Sequence, residues 1–410
     1  MYPTDRQSAE RLDAHDPLGG FRSRFHIPDP ALAYLDGNSL GMLPAASVER
    51  ARDLIAREWG ERLIRSWDSG WLDRPAEVGD LIGEALLGSA PGQVVVSDST
   101  SVNLYKLAVA ALDARPGRRA VVAAAGDFPT DRYVLAGLAG SRGLELRLVD
   151  PDPVAGVSAA DLAGAVDGDA ALVALSHVDY RSAALADLPG ITALAHGAGA
   201  LTLWDLSHSA GAVPVGLDAA GADLAVGCTY KYLNGGPGAP AFLYVRDGLQ
   251  RTLRQPIQGW FGQREQFAMG PAYDPLPDVR RFLVGTPPVL GLALVEEGVR
   301  LLAEAGLDLL RAKSVALGSL LVDLYDAWLA PLGFGLASPR DPAARGSHVS
   351  LSHPDGDRLR RELVETAHVV PDFRRPDLLR FGLAPLTTRF ADVWDAMSWL
   401  RRLAGVRQGA

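Results

Sequence analysis

Short apolar runs alternate with amphipathic stretches along the middle of the chain. The runs are "VVV" at 94–96, "AVVAAA" at 120–125, "LELRLV" at 144–149, "ALVALS" at 171–176, "ALTLWD" at 200–205, "LAVG" at 224–227 and "AFLYV" at 241–245. Runs with little inside–outside alternation read as strands buried on both faces, and the stretches between them as crossover helices. The pattern predicts an α/β domain whose mainly parallel seven-stranded sheet is covered by helices. Upstream, Val48, Ala51, Leu54, Ile55, Trp59, Leu63 and Ile64 recur at helical spacing over 45–67, after an arm at 1–33 that reads as extended or loosely helical. After Pro288 a helical pattern runs from Val289 to Trp328, interrupted near Gly306. "HVSLSH" at 348–353, a helix near 357–367, "LLRFGLA" at 378–384 and a helix from Arg389 then predict a smaller α+β domain. The expected division is an N-terminal segment at 1–45, a large domain at 46–290, and a bridging helix with the small domain at 291–410.

Composition narrows the partners and the compartment. With 40 basic and 49 acidic side chains the net charge is -9, which argues against nucleic acid and anionic membrane. The single cysteine, Cys228, excludes an internal disulfide and fits a reducing compartment. The N-terminal stretch lacks the apolar core of a signal peptide, and no run reaches the roughly 18 uncharged apolar residues of a membrane span. A cytoplasmic protein is the expectation. Lysine occurs only at Lys106, Lys231 and Lys313. Chemistry needing a free amine therefore has three candidates.

In an open α/β sheet, ligands bind beyond the carboxyl ends of the strands, so the loops after the apolar runs carry the candidate chemistry. After "VVV" come Ser97, Asp98, Ser99, Thr100 and Ser101, opening a helix. Hydroxyls and backbone N–H groups there suit a phosphate, and equally a helix cap. After "AVVAAA", Phe128 could stack on a planar ligand, while Pro129, Thr130 and Asp131 also read as a helix start. Asp205 ends a buried strand, where it needs a compensating partner such as a cationic ring nitrogen, or caps the next turn. His208 could be a structural histidine. Lys231 follows a buried strand, lies between Tyr230 and Tyr232, and precedes the glycine-rich "LNGGPG". A desolvated lysine there is a candidate nucleophile or base; Lys106 and Lys313 fall in amphipathic helices and read as surface charges. A phosphate site, an aromatic plate, an aspartate and a reactive lysine in this order are the parts that hold pyridoxal 5′-phosphate.

The chain also resembles the kynureninases, fold-type-I pyridoxal-phosphate enzymes, over nearly its whole length. The resemblance rests on "YLDGNSLGMLP" at 34–44, "FPTDRY" at 128–133, "WDLSHSAGAVPV" at 204–215, "YKYLNGGPGAP" at 230–240, "GWFG" at 259–262 and "GTPP" at 285–288. It implies that Lys231 forms the imine with the cofactor, Asp205 pairs with the pyridinium nitrogen, His208 supports that cluster and Phe128 stacks on the ring. Thr100, Ser101 and Tyr230 would hold the phosphate, with Thr130, Asp131 and Ser176 around the cofactor. Trp260 and Thr286 resemble residues that reach the cofactor from a partner subunit, which implies a homodimer with shared sites. Arg380 would grip a substrate α-carboxylate, and Asn38, Ser39 and Trp71 would face the aryl ketone, with Trp71 favouring L-kynurenine over its 3-hydroxy form. The implied reaction is hydrolytic Cβ–Cγ cleavage of L-kynurenine to anthranilate and L-alanine, with Lys231, Tyr230 and Asp205 catalytic. The alternatives are a hydrolase of a ring-substituted kynurenine and a cysteine desulfurase or selenocysteine lyase. The last two use a mobile-loop cysteine, and Cys228, three residues before Lys231, is poorly placed for that.

Overall fold

The computed structural model describes residues 4–405; residues 1–3 of the arm and 406–410 of the C-terminal segment lie outside the described residues. Its strands are β1 (Ala33–Leu35), β2 (Val94–Val96), β3 (Ala120–Ala124), β4 (Glu145–Val149), β5 (Ala170–Ser176), β6 (Leu201–Asp205), β7 (Leu224–Gly227), β8 (Phe242–Val245), β9 (Gly335–Leu336), β10 (His348–Ser352), β11 (Val369–Arg374) and β12 (Leu378–Gly382). One seven-stranded sheet has the order β2-β8-β7-β6-β5-β3-β4. Its pairs are parallel except those of β8, which runs antiparallel to both β2 and β7. Successive residues feed opposite faces: Trp204 joins the apolar layer on one side of the sheet and Leu203 the layer on the other. Each such fully buried side chain contributes about 1.5–3 kcal/mol of apolar burial.

Local signals set the helices that carry the site. The helix Thr100–Asp113 is capped by Ser99, whose side chain accepts from the Val102 N–H. The helix Pro129–Arg142 starts at a proline, which needs no N–H there, and stops at Gly143 in the left-handed region. The long bridging helix divides into Val289–Ala305 and Leu307–Leu324 at Gly306, whose φ is 80°.

The small domain's five-stranded sheet has the order β1-β11-β12-β10-β9. The arm belongs to this sheet, because β1 pairs in parallel with β11. The arm is also more regular than its sequence suggests. It forms a helix at Arg6–Ala14, and Asp13 accepts from the Phe390 and Ala391 amides at 2.7 and 3.0 Å, capping the final helix. Asp16 pairs with Lys313 at 2.6 Å. Lys313 is buried, contrary to the surface reading. The run Leu307–Leu332 has the length and composition to cross a membrane, yet 44% of that window is buried, packed into the small-domain core.

The predicted helix at 45–67 also differs. It is α-helical over Ala45–Asp53, then continues as π-helical turns to Glu61 and a 3₁₀ turn at Leu63–Ser66. Its apolar positions do not all turn inward. Trp59, Leu63 and Ile64 are 61%, 57% and 75% exposed.

Candidate active site

A cavity of about 660 Å³ opens beyond the carboxyl ends of β3, β5, β6 and β7, where the large sheet meets the small domain. Each of those strands delivers a side chain to it. Phe128, Thr130 and Asp131 follow β3, Ser176 ends β5, Asp205 ends β6, and Tyr230 and Lys231 follow β7. Thr100 and Ser101, in the first turn of their helix, line the same space, as do Asn38 and Ser39 from the arm and Arg380 from β12.

The electrostatics of the floor come from burial. Asp131 is buried and hydrogen-bonded to Asp205. Desolvation, then the neighbouring Asp205 charge, holds the Asp131 carboxyl well above the usual carboxylate range, so Asp131 is the protonated partner. Asp205 also accepts from the Ser207 N–H at 2.7 Å, so it stabilises its turn as well as facing the cavity. Beside it, His208 lies with its Nε2 3.1 Å from the Asn38 carbonyl oxygen and its ring 5.6 Å from that of His348. Burial pushes both histidines well below their ordinary value, helped next by the charge of Lys231 at His208 and of Arg380 at His348, so both are neutral. The Tyr230 phenol is pushed up, by burial first, and stays protonated. Cys228 is buried, its thiol also pushed up by burial, with Sγ on the Ser207 carbonyl at 3.8 Å. It offers no mobile thiolate.

At the small-domain side, Arg380 is almost fully buried. Its Nε donates to Asp372 Oδ2 at 2.7 Å, and a second guanidinium nitrogen donates to the same oxygen. The remaining N–H groups meet the Tyr180 carbonyl and, at 3.3 Å, the Ser39 hydroxyl. Asn38 is fully buried, and neither amide atom has a hydrogen-bond partner among the described residues.

Two expected placements need correction. Trp71 does not line this cavity. Its indole N–H donates to Glu58 at 2.7 Å, and its ring meets Trp67 edge-on, because the turn at Ser69 and Gly70 directs it onto its own helical segment. Thr286, which resembles a residue that reaches the cofactor from a partner subunit, also lines the cavity of its own chain. Lys106, read as a surface charge, is fully buried. Trp260 does not line its own chain's cavity and is partly exposed. Sequence reasoning missed Asp98, Tyr180, Ser207 and Arg374, all of which line the cavity. Tyr180 was findable by the strand-end rule, four residues past β5. Arg374 and its partner Asp372 come from β11, and only the docking of the small domain brings them here.

The donor set fits pyridoxal 5′-phosphate. One lysine, a buried carboxyl pair, an aromatic ring and a hydroxyl-bearing helix start converge on one cavity. Families sharing these features divide by chemistry, and sequence comparison separates them. The kynureninase C-terminal domain family matches residues 310–400, and the class-V aminotransferase family matches residues 84–352. A kynureninase of Pseudomonas fluorescens is 46% identical over 404 residues, covering 97% of this chain and 95% of that protein.

The chain belongs to the kynureninase family.

A kynureninase of Burkholderia pseudomallei (strain K96243) is likewise 46% identical over 403 residues, covering 97% and 94% of the two chains. In fold, the chain superposes on a cysteine desulfurase of Thermococcus onnurineus NA1 with a TM-score of 0.78 at 19% identity, covering 98% of each chain. Kynureninase-family membership makes this protein a pyridoxal-phosphate-dependent hydrolase of carbon–carbon bonds. Its cofactor chemistry would be held by Lys231 as the anchoring amine, Asp205 at the ring nitrogen, Phe128 on the ring face, and Thr100 and Ser101 at the phosphate.

Proposed function

We propose that this protein cleaves L-kynurenine hydrolytically between Cβ and Cγ, giving anthranilate and L-alanine. The observation that carries the reading is the juxtaposition, in one cavity, of Lys231 and the Asp131–Asp205 pair with Arg380 and Ser39 on the opposite wall. Bound pyridoxal phosphate supplies an electron sink for the carbanions formed at Cα and Cβ. The protein supplies the rest. Arg380 presents a guanidinium fork to the α-carboxylate, an arrangement that favours a planar anion. Lys231, released from anchoring, takes the α-proton. Asp205, backed by protonated Asp131, keeps the ring nitrogen protonated. Asn38 and Ser39 orient the aryl ketone, whose γ-carbonyl is attacked by water. Tyr230, protonated throughout the physiological range, delivers the proton to Cβ.

We assign Trp260 to a partner's cavity, in a homodimer with shared sites. Ile55, Trp59, Leu63 and Ile64 are exposed on one segment, and Phe267 and Met269 on another. Edge-on and tilted ring contacts run from Trp71 through Trp67 and buried Phe261 to Trp260 and Phe267. Large exposed apolar side chains grouped on a segment in this way mark an interaction site. A cytoplasmic enzyme of tryptophan catabolism fits these features.

The test is direct. Purified holoprotein mixed with L-kynurenine releases anthranilate, followed by its fluorescence, and the Lys231→Ala variant releases none. Parallel runs with 3-hydroxykynurenine and ring-substituted kynurenines set the substrate preference. Bound cofactor without product from L-kynurenine would refute the substrate and keep the scaffold.

A further inference from the structure

Asp98 puts a carboxylate on the cavity wall immediately before Ser99, Thr100 and Ser101. A negative charge there opposes a phosphate. Its backbone is committed to that position, with φ at 53° and its carbonyl accepting from the Ala241 N–H at 2.9 Å. Beneath it lies Lys106, 0% exposed on the inner side of the helix that Thr100 begins. The Lys106 Nζ donates to Asp98 Oδ2 at 2.7 Å, to the Phe282 carbonyl at 2.8 Å and, at 3.5 Å, to the Ser97 hydroxyl. Phe282 ends the 3₁₀ turn from which the chain runs to Thr286, on the cavity. One buried amine thus holds both the loop that opens the phosphate cup and the segment that leads to Thr286.

We infer that Lys106 is a positioning residue for the cofactor phosphate, neutralising Asp98 and tying the cup at Ser99–Ser101 to the 282–286 segment. The inference rests on the reading that the phosphate sits at Thr100 and Ser101. Burial pushes the Lys106 amine down, and the Asp98 charge and hydrogen bond oppose that shift. Removing the amine leaves an uncompensated carboxylate on the wall that faces the phosphate. Removing only the carboxylate leaves a cation behind the phosphate.

The experiment measures binding rather than turnover. The apoprotein is titrated with inorganic phosphate by calorimetry and with pyridoxal phosphate by its bound-state absorbance. Lys106→Met should weaken pyridoxal phosphate by about tenfold or more, from the Coulomb interaction at this range. Asp98→Asn should bind phosphate more tightly than the parent. The double variant K106M/D98N should recover most of the loss, which a merely structural role for Lys106 would not allow. Weaker phosphate binding by D98N, or a double variant as weak as K106M alone, would overturn the inference. D98N retains the lysine and carries the decision if K106M fails to fold. Ser101→Ala and Thr100→Val report on the placement itself. If they leave phosphate affinity unchanged, the phosphate lies elsewhere and both readings fall. If they weaken it while D98N and K106M change nothing, only the role of Lys106 fails.

Discussion

Asp372 holds Arg380 by one edge, with Nε 2.7 Å from Oδ2, and so directs the remaining N–H groups at Ser39 and Tyr180, both on the cavity wall. The same carboxylate oxygen lies 3.0 Å from Arg374 Nε. Hydrogen bonds to charged groups contribute about 1.5–3 kcal/mol. Asp372→Asn should therefore raise KM for L-kynurenine by roughly tenfold or more, by unlocking the guanidinium rather than removing it. Cofactor absorbance should be unchanged. Steady-state kinetics of the holoenzyme check this, and an unaltered KM would show that Arg380 needs no such support.

Tyr230 has its proton retained by burial and lies beside Lys231, whose Nζ is 6.0 Å from the phenol ring centroid. A positioned general acid contributes roughly 10²–10⁴-fold. Tyr230→Phe should lower kcat by about a hundredfold or more while pyridoxal phosphate still binds. Near-normal turnover would remove Tyr230 from the proton transfer.

The exposed strip at 55–64 predicts a mass change. Ile64→Asp, at a side chain 75% exposed, should disturb little within one chain but place a charge in an apolar contact between two. Sedimentation velocity should find the parent at the mass of the proposed dimer and the variant at that of a monomer, with activity lost in proportion. A dimer of unchanged affinity would place the contact elsewhere.

His177 is buried against Trp204, ring centroids 6.1 Å apart, and burial alone pushes it down to about 4. A histidine that is neutral when folded and charged when unfolded contributes stability above its unfolded value of about 6.5. That contribution is lost as pH falls toward 4, and amounts to about 3 kcal/mol at most. His177→Phe keeps a ring on Trp204 and removes the titration. Its thermal midpoint should fall less than the parent's between pH 6.5 and pH 4. Parallel acid limbs would show that His177 does not drive this dependence.

Much of this was legible in the chain because it is local. Strands such as Val94–Val96 and Leu224–Gly227 are uninterrupted apolar runs, and a run buried on both faces needs no partner to be recognised. Phe128, Asp205 and Lys231 were legible for a related reason. A polar or reactive residue just beyond a buried strand sits at a fixed place in any parallel sheet. The lysines were misread for the opposite reason. Lys106 and Lys313 have ordinary helical surroundings in sequence, and their partners Asp98 and Asp16 are eight and 297 residues away. The helical spacing over 45–67 was real, but spacing alone cannot say whether an apolar stripe meets its own core. Trp59 and Ile64 stay outside it.

The sequence by itself determined the sheet, the order of the strand-end groups and the cofactor class, since periodicity and the chemistry of a lone amine need no third dimension. Tertiary structure decided which groups share a wall and which carry charge. Docking of the small domain on the large one brings Arg374 and Arg380 to the cavity from β11 and β12, and burial then holds Asp131 protonated and His208 neutral. Those protonation states depend on desolvation by residues far apart in the chain, a quantity that no stretch of sequence carries alone.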